Sequence, residues 1–196
     1  MARRNHRKLA RSFYSRATLE VAPEMVGKYI IYHSPAGRLS ARIVEVEAYI
    51  GQDDPACHAA PGPTKRNRVM YGQPGHSYVY LIYGMYYCLN FVTEKPGFPA
   101  AVLLRAAEPC ERLEVMRRNS PRQKEEKILS GPGKFCRSFG LSGVHNGLDL
   151  TGSTLFLEDR AEVAPVIASS QRVGIRKGTD HHWRFYDDNS SSVSRR

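Results

Sequence analysis

The segment from Ser77 to Thr93 constrains this chain more than any other: it reads Ser-Tyr-Val-Tyr-Leu-Ile-Tyr, then Gly84-Met85, then Tyr-Tyr-Cys-Leu-Asn-Phe-Val-Thr. Aromatic and β-branched residues flank a lone glycine on both sides, and such residues favour the pleated, half-buried surface of a strand. The pattern predicts a β-hairpin with Gly84 at the first central position of a type II′ turn and Tyr83 and Tyr86 beside the tip. Five of the protein's 11 tyrosines, Tyr78, Tyr80, Tyr83, Tyr86 and Tyr87, lie here. Those within the strands, Tyr78 and Tyr80, are explained as well by packing as by binding. Tyr83, Met85 and Tyr86 at the tip cannot all be buried by their own hairpin.

A second strong strand runs from Leu39 to Tyr49, preceded by a strand at Lys28 to His33 and a turn at Ser34 to Gly37. Its apolar residues alternate as Leu39, Ala41, Ile43 and then change parity to Val44, Val46, Ala48, which predicts a bulge near Ile43 and Val44. Beyond it Glu45, Glu47 and Tyr49 share one face. Two acids on a strand face are ordinarily its solvent side. This strand, however, leads into a long loop rich in Gly, Pro and Asp that carries His58 and ends in Lys65, Arg66 and Arg68 around Asn67. Loops of that length between strands commonly carry function.

The remaining pattern is coarser. Thr18 to Val26 has helical spacing with Gly27 as its stop. Ala100 to Arg105 reads as a strand and Pro109 to Arg118 as a helix. Ser130-Gly131-Pro132-Gly133-Lys134 suits a phosphate-contacting helix start, although its glycine spacing is not that of a P-loop. Short strands are expected at Leu155 to Leu157, Val163 to Ile167 and Trp183 to Tyr186, with a basic loop at Gln171 to Gly178. The chain thus divides into a basic arm (1–16), a body (17–187) and a polar, disordered tail (188–196). A length of 196 residues suits one domain.

Composition narrows the function. Lys and Arg number 29 against 19 Asp and Glu, a formal charge of +10, with 41% of residues hydrophobic. That apolar content excludes disorder as the main state, and the charge favours a polyanion as partner. No apolar run is long enough to span a membrane, and the N-terminus lacks the apolar core of a secretory signal. Cys57, Cys88, Cys110 and Cys136 lack zinc-site spacing, so no metal or cofactor is expected, and reduced thiols in a cytoplasmic monomer are the expectation. Aromatics and Met at a hairpin tip have the composition of a wedge that unstacks nucleic-acid bases.

The run Arg-Ile-Val-Glu-Val-Glu-Ala-Tyr (42–49), His58, Arg66-Asn67-Arg68, the hairpin Tyr-Val-Tyr-Leu-Ile-Tyr-Gly-Met-Tyr (78–86) and Val-Leu-Leu-Arg-Ala-Ala-Glu-Pro (102–109) resemble the alkyladenine DNA glycosylase family. The likeness continues through Ser130-Gly131-Pro132 and Arg172-Val173-Gly174 to Arg184-Phe185-Tyr186. It implies an α+β fold: a single mixed α/β domain around a curved antiparallel sheet, with a protruding hairpin that intercalates into DNA. The implied activity is monofunctional hydrolysis of the N-glycosidic bond of alkylated or deaminated purines flipped out of double-stranded DNA, the first step of base excision repair.

The resemblance puts Glu47 at the catalytic base, with Arg105 and the backbone of Val173 beside the attacking water. It makes Tyr49, His58 and Tyr80 the walls between which the base stacks, and Asn90 the residue that crowds the amine of guanine. Tyr83 matches the residue inserted into the duplex, with Met85 and Tyr86 beside it. Arg66, Arg68, Lys134 and Arg172 are candidates for phosphate contact. Two other functions stand beside this one: a bifunctional glycosylase/lyase acting through Lys65 or Lys134, and a noncatalytic RNA-binding module that stacks bases on the hairpin.

Overall fold

The computed structural model describes residues 6–195. Among the described residues, nine antiparallel strands form one open sheet: β1 (Arg7–Lys8), β2 (Tyr29–Ser34), β3 (Gly37–Ile50), β4 (Ser77–Ile82), β5 (Tyr86–Val92), β6 (Ala100–Glu111), β7 (Leu155–Asp159), β8 (Ile167–Ser170) and β9 (Arg184–Asp187). Their order is β1-β7-β2-β3-β6-β5-β4, with β9 pairing both β3 and β8. Four α-helices accompany them there: α1 (Arg11–Tyr14), α2 (Thr18–Met25), α3 (Leu113–Asn119) and α4 (Pro132–Phe139).

The long strand β3 organises the sheet. Its register with β6 shifts between Ile43 and Glu45, leaving Val44 as the extra residue of the expected bulge. Before the bulge β3 pairs with β2, and after it, from Glu45 to Glu47, with β9. The bulge also sorts the side chains. Leu39, Ala41, Ile43, Val46 and Ala48 enter the main core with Leu89 and Phe91 of β5, Val102 and Leu104 of β6, and Phe135 and Phe139 of α4. The opposite face of the same strands therefore carries Glu45, Glu47 and Tyr49, Leu103 and Arg105, Cys88 and Asn90, and Tyr78 and Tyr80.

Several expectations change. Residues 7–14 of the basic arm join the fold: β1 pairs with β7, and Leu9 and Tyr14 are core residues; the arm's Arg3 and Arg4 lie outside the described residues. The tail expected to be disordered returns to the sheet as far as Arg195, because Val193 is buried and Ser194 finds acceptors inside. Strand β6 runs through Pro109 to Glu111, and the helix starts only at Leu113, after Arg112 at a positive φ of 62° breaks the strand. Pro109 is tolerated because it sits at a second register shift, opposite Ala41. Val163 to Val166 are not strand; β8 begins at Ile167.

The hairpin tip differs as well. Tyr83 and Gly84 both adopt positive φ, 53° and 68°, and Met85 N–H donates to the Ile82 carbonyl at 3.2 Å. This is the backbone of a type I′ turn, which puts Tyr83 on the tip itself, and Tyr83 is 80% exposed there.

Gly27 sits beside the bulge, donating to the Ile43 carbonyl at 2.8 Å with φ at +87°. A Cβ there would lie 2.9 Å from Pro165 Cδ. Gly27→Ala is expected to cost about 2 kcal/mol, from left-handed backbone strain plus overpacking. A denaturant midpoint unchanged from the parent would contradict this.

Candidate active site

A row of side chains crosses four strands on the face opposite the core, because Glu47 pairs with Leu103, Leu103 with Asn90, and Asn90 with Tyr78. Over it opens a cavity of about 480 Å³, lined by Tyr49, His58, Tyr78, Tyr80, Asn90 and Arg105 among others. Tyr83, Tyr86, Val173 and Lys134 also line it. Most of the expected site residues are thus brought to one cleft or directly behind it, although they come from widely separated parts of the chain.

Glu47 sits behind the wall. It has no exposed surface, and its carboxylate accepts from Val173 N–H at 2.6 Å, Tyr49 O–H at 2.8 Å and Arg105 Nη1 at 3.4 Å. Burial pushes the Glu47 carboxyl above the ordinary 4.5, against the opposing pull of Arg105, the Val173 N–H and the Tyr49 hydroxyl. Tyr49 is raised far in the same sense, first by burial and then by Glu47, so it stays a neutral donor.

Glu45, two residues earlier, is equally buried and accepts from Arg105 Nε at 2.9 Å, Arg184 Nε at 2.7 Å and Ser194 N–H at 2.6 Å. Sequence reasoning missed Glu45, Arg184 and Ser194 as parts of this site. The signal was the shared face of Glu45, Glu47 and Tyr49: buried acids require cations, and only the folded sheet shows that β6 and β9 bring them.

The aromatic walls are held from behind. His58 Nδ1 is 2.9 Å from the Tyr78 hydroxyl, and its ring meets that of Tyr80 edge-on with centroids 4.5 Å apart. Burial, then the nearby Arg66, pushes His58 down to about 4, so the ring is neutral at pH 7. Asn90 Nδ2 donates to the Tyr78 carbonyl at 2.9 Å, which fixes the orientation of that amide. Tyr86 packs on α4 so closely that a Cβ at Gly133 would lie 2.9 Å from its ring, so only glycine fits there.

The basic candidates separate. Arg68 is exposed, and Lys134 lines the cavity at the start of α4. Arg66 is exposed but already engaged, with its guanidinium 4.8 Å from the Tyr80 ring centroid and a bond to the Leu81 carbonyl. Arg172 is not a phosphate contact. Its side chain is fully buried, paired with both oxygens of Asp54 at 2.6 and 2.8 Å, and it donates to the Ala48 carbonyl at 2.9 Å. It also lies over the rings of Tyr49 and Trp183. Arg172 therefore ties the loop before His58 to the loop that presents Val173.

Arg172→Met should cost about 3–5 kcal/mol, since it leaves Asp54 buried and unpaired, yet leave the salt dependence of polyanion binding unchanged, whereas loss of a phosphate contact lowers the slope by about 1. The His58 ring should titrate near 4 by NMR. Because the unfolded ring takes its proton at about 6.5 and the folded one does not, His58 should cost stability as pH falls from 6.5 towards 4. His58→Phe should flatten the stability curve across that window.

The family model described as methylpurine-DNA glycosylase matches residues 12–191 of this chain. A relative from Methanocella arvoryzae, provisionally named 3-methyladenine DNA glycosylase, is 53% identical over 193 residues, 96% of each chain. Relatives of the same provisional name from Chlorobium phaeobacteroides and Alkaliphilus oremlandii are 46% and 42% identical, covering 95% and 96% of this chain and 95% and 100% of their own lengths.

Proposed function

Because this chain belongs to the methylpurine-DNA glycosylase family and is a DNA glycosylase, we propose that it flips alkylated purines out of duplex DNA into the cavity beside Tyr49 and hydrolyses their N-glycosidic bond with Glu47 as base. The observation that carries this is a buried carboxylate with fixed donors directly behind an aromatic cleft. The cavity, at about 480 Å³, has the size of a small-ligand site.

A carboxylate offers about four acceptor positions. Val173 N–H, Tyr49 O–H and Arg105 take three of them, which leaves one for a water proton. In the proposed step the water oxygen bonds to sugar C1′, its proton passes to Glu47, and the electron pair of the C1′–N bond leaves with the base. Negative charge close by also stabilises the oxocarbenium-like sugar as that bond breaks.

The walls favour a cationic base. Tyr49 and Tyr80 present electron-rich rings, and a neutral His58 does not repel positive charge. Among the described residues no carboxyl lines the cavity, and the imidazole that does is unprotonated at pH 7. An alkylated purine already carries the charge that makes it leave, while hypoxanthine needs a proton. On this basis 3-methyladenine ranks above hypoxanthine and ethenoadenine as a substrate. Tyr83 fills the gap left by the flipped nucleotide, with Met85 and Tyr86 beside it. That wedge offsets a stacking loss of a few kcal/mol. Arg68 and Lys134 meet phosphates.

Glu47→Gln should abolish release of methylated purines from methylated duplex DNA while duplex binding persists; release at the parental rate would defeat the mechanism. In the parent, kcat/KM should fall on the acid side with a midpoint above the ordinary 4.5 of a glutamate. Tyr83→Ser should weaken capture of the flipped state, read with a fluorescent base beside the lesion, more than it weakens binding of undamaged duplex.

A further inference from the structure

Residues 190–195 reach the centre of the site. Ser190 Oγ bonds Glu108, Lys127 Nζ donates to the Ser191 carbonyl at 2.9 Å, Ser130 Oγ to the Val193 carbonyl at 3.3 Å, and Val193 is buried. Ser194 then does three things at once. Its N–H donates to Glu45 Oε2 at 2.6 Å, its Oγ donates to Glu45 Oε1 at 2.9 Å, and the same Oγ accepts from Arg105 Nη2 at 3.2 Å. Arg184 closes the arrangement from the far side, bonding Glu45 and the Arg195 carbonyl.

The Arg105 guanidinium is thus held by three acceptors: Glu45 at Nε, Glu47 at Nη1 and Ser194 at Nη2. Its bond to Glu47, at 3.4 Å, is the longest of the three, so the other two set how the guanidinium meets Glu47. We propose that the C-terminal segment 190–195 is a strap whose Ser194, with Glu45, positions Arg105 against Glu47, making Ser194 a positioning residue for cleavage although it lies outside the base pocket. The proposal rests on Glu47 acting as the base. A rigid planar fork needs its acceptors fixed, and Glu45 alone fixes one donor. The strap supplies the second from a part of the chain 89 residues away from Arg105.

The test compares the full-length parent with Ser194→Ala and Ser194→Thr on methylated duplex DNA. Rates are normalised to the fraction of protein that binds an abasic-site duplex, which removes any partly unfolded fraction. Ser194→Ala keeps the N–H and loses the hydroxyl. It should lower kcat about tenfold, the worth of a hydrogen bond to a charged group, with KM within about twofold. The acid limb should also move to higher pH. The charged and titratable groups facing Glu47 are Glu45 and Tyr49 from β3, Cys88 from β5, Arg105 from β6 and Arg172 from its loop. Of these, Arg105 opposes the burial of Glu47 most strongly. Ser194→Thr should restore both readouts. Parental kcat in Ser194→Ala, or a lowered kcat with the acid limb unmoved, would overturn the strap. Release of methylated purine at the parental rate by Glu47→Gln, measured alongside, would instead overturn the role of Glu47, and with it the proposal's premise.

Discussion

Two carboxylates two residues apart on one strand face, neither with exposed surface, dominate the physics of this protein. Removing one ionised carboxylate from water costs several kcal/mol, and a second beside it adds repulsion. The fold meets that demand with two guanidiniums. Arg105 bridges both acids from β6, and Arg184 reaches Glu45 from β9. The bulge in β3 makes this possible. It turns Glu45 and Glu47 away from the core and frees the strand to exchange β2 for β9 as partner. A plain strand of the same composition would have kept its first register and placed the acids against Leu and Phe.

The two acids do not share the same surroundings. Glu45 is enclosed by Arg105, Arg184 and Ser194, which take both of its oxygens. Glu47 accepts a backbone N–H, a phenol and a long arginine contact, and lies behind residues that line the cavity. In the proposed division of labour one carboxylate anchors the cation while the other keeps capacity for water. Arg172 serves the same end by different means, joining the loops that carry His58 and Val173 through Asp54. A chain with a formal charge of +10 thus holds Arg105, Arg172 and Arg184 inside, where they pair with buried acids and organise a site.

Much of this is legible in the residue pattern, for reasons that are local. The parity change from Ile43 to Val44 announces the bulge, because side-chain period along a strand is two and one extra residue inverts it. Tyrosines around Gly84 announce the hairpin. The turn type is not legible there because Tyr83, not glycine alone, adopts a positive φ, a choice made by the twist of the paired strands. The order of the tail is hidden for a different reason. Ser-Ser-Ser-Val-Ser has little apolar content, so nothing local favours order; its acceptors and donors are Glu45, Glu108, Lys127 and Ser130, all distant in sequence.

The sequence by itself determined the long central strands, the hairpin and the family, since strand periodicity, turn residues and long ordered motifs are properties of neighbouring residues. It also determined which residue types were on hand for glycosidic chemistry. Tertiary structure alone decided what each charge does. Arg172 and Arg68 look alike in sequence, yet one is buried on Asp54 and the other is exposed. Glu45 and Glu47 are equivalent on paper and differ only in which neighbours reach them. Charge acts across space according to distance and burial, and neither is written in the chain until the sheet has closed around it.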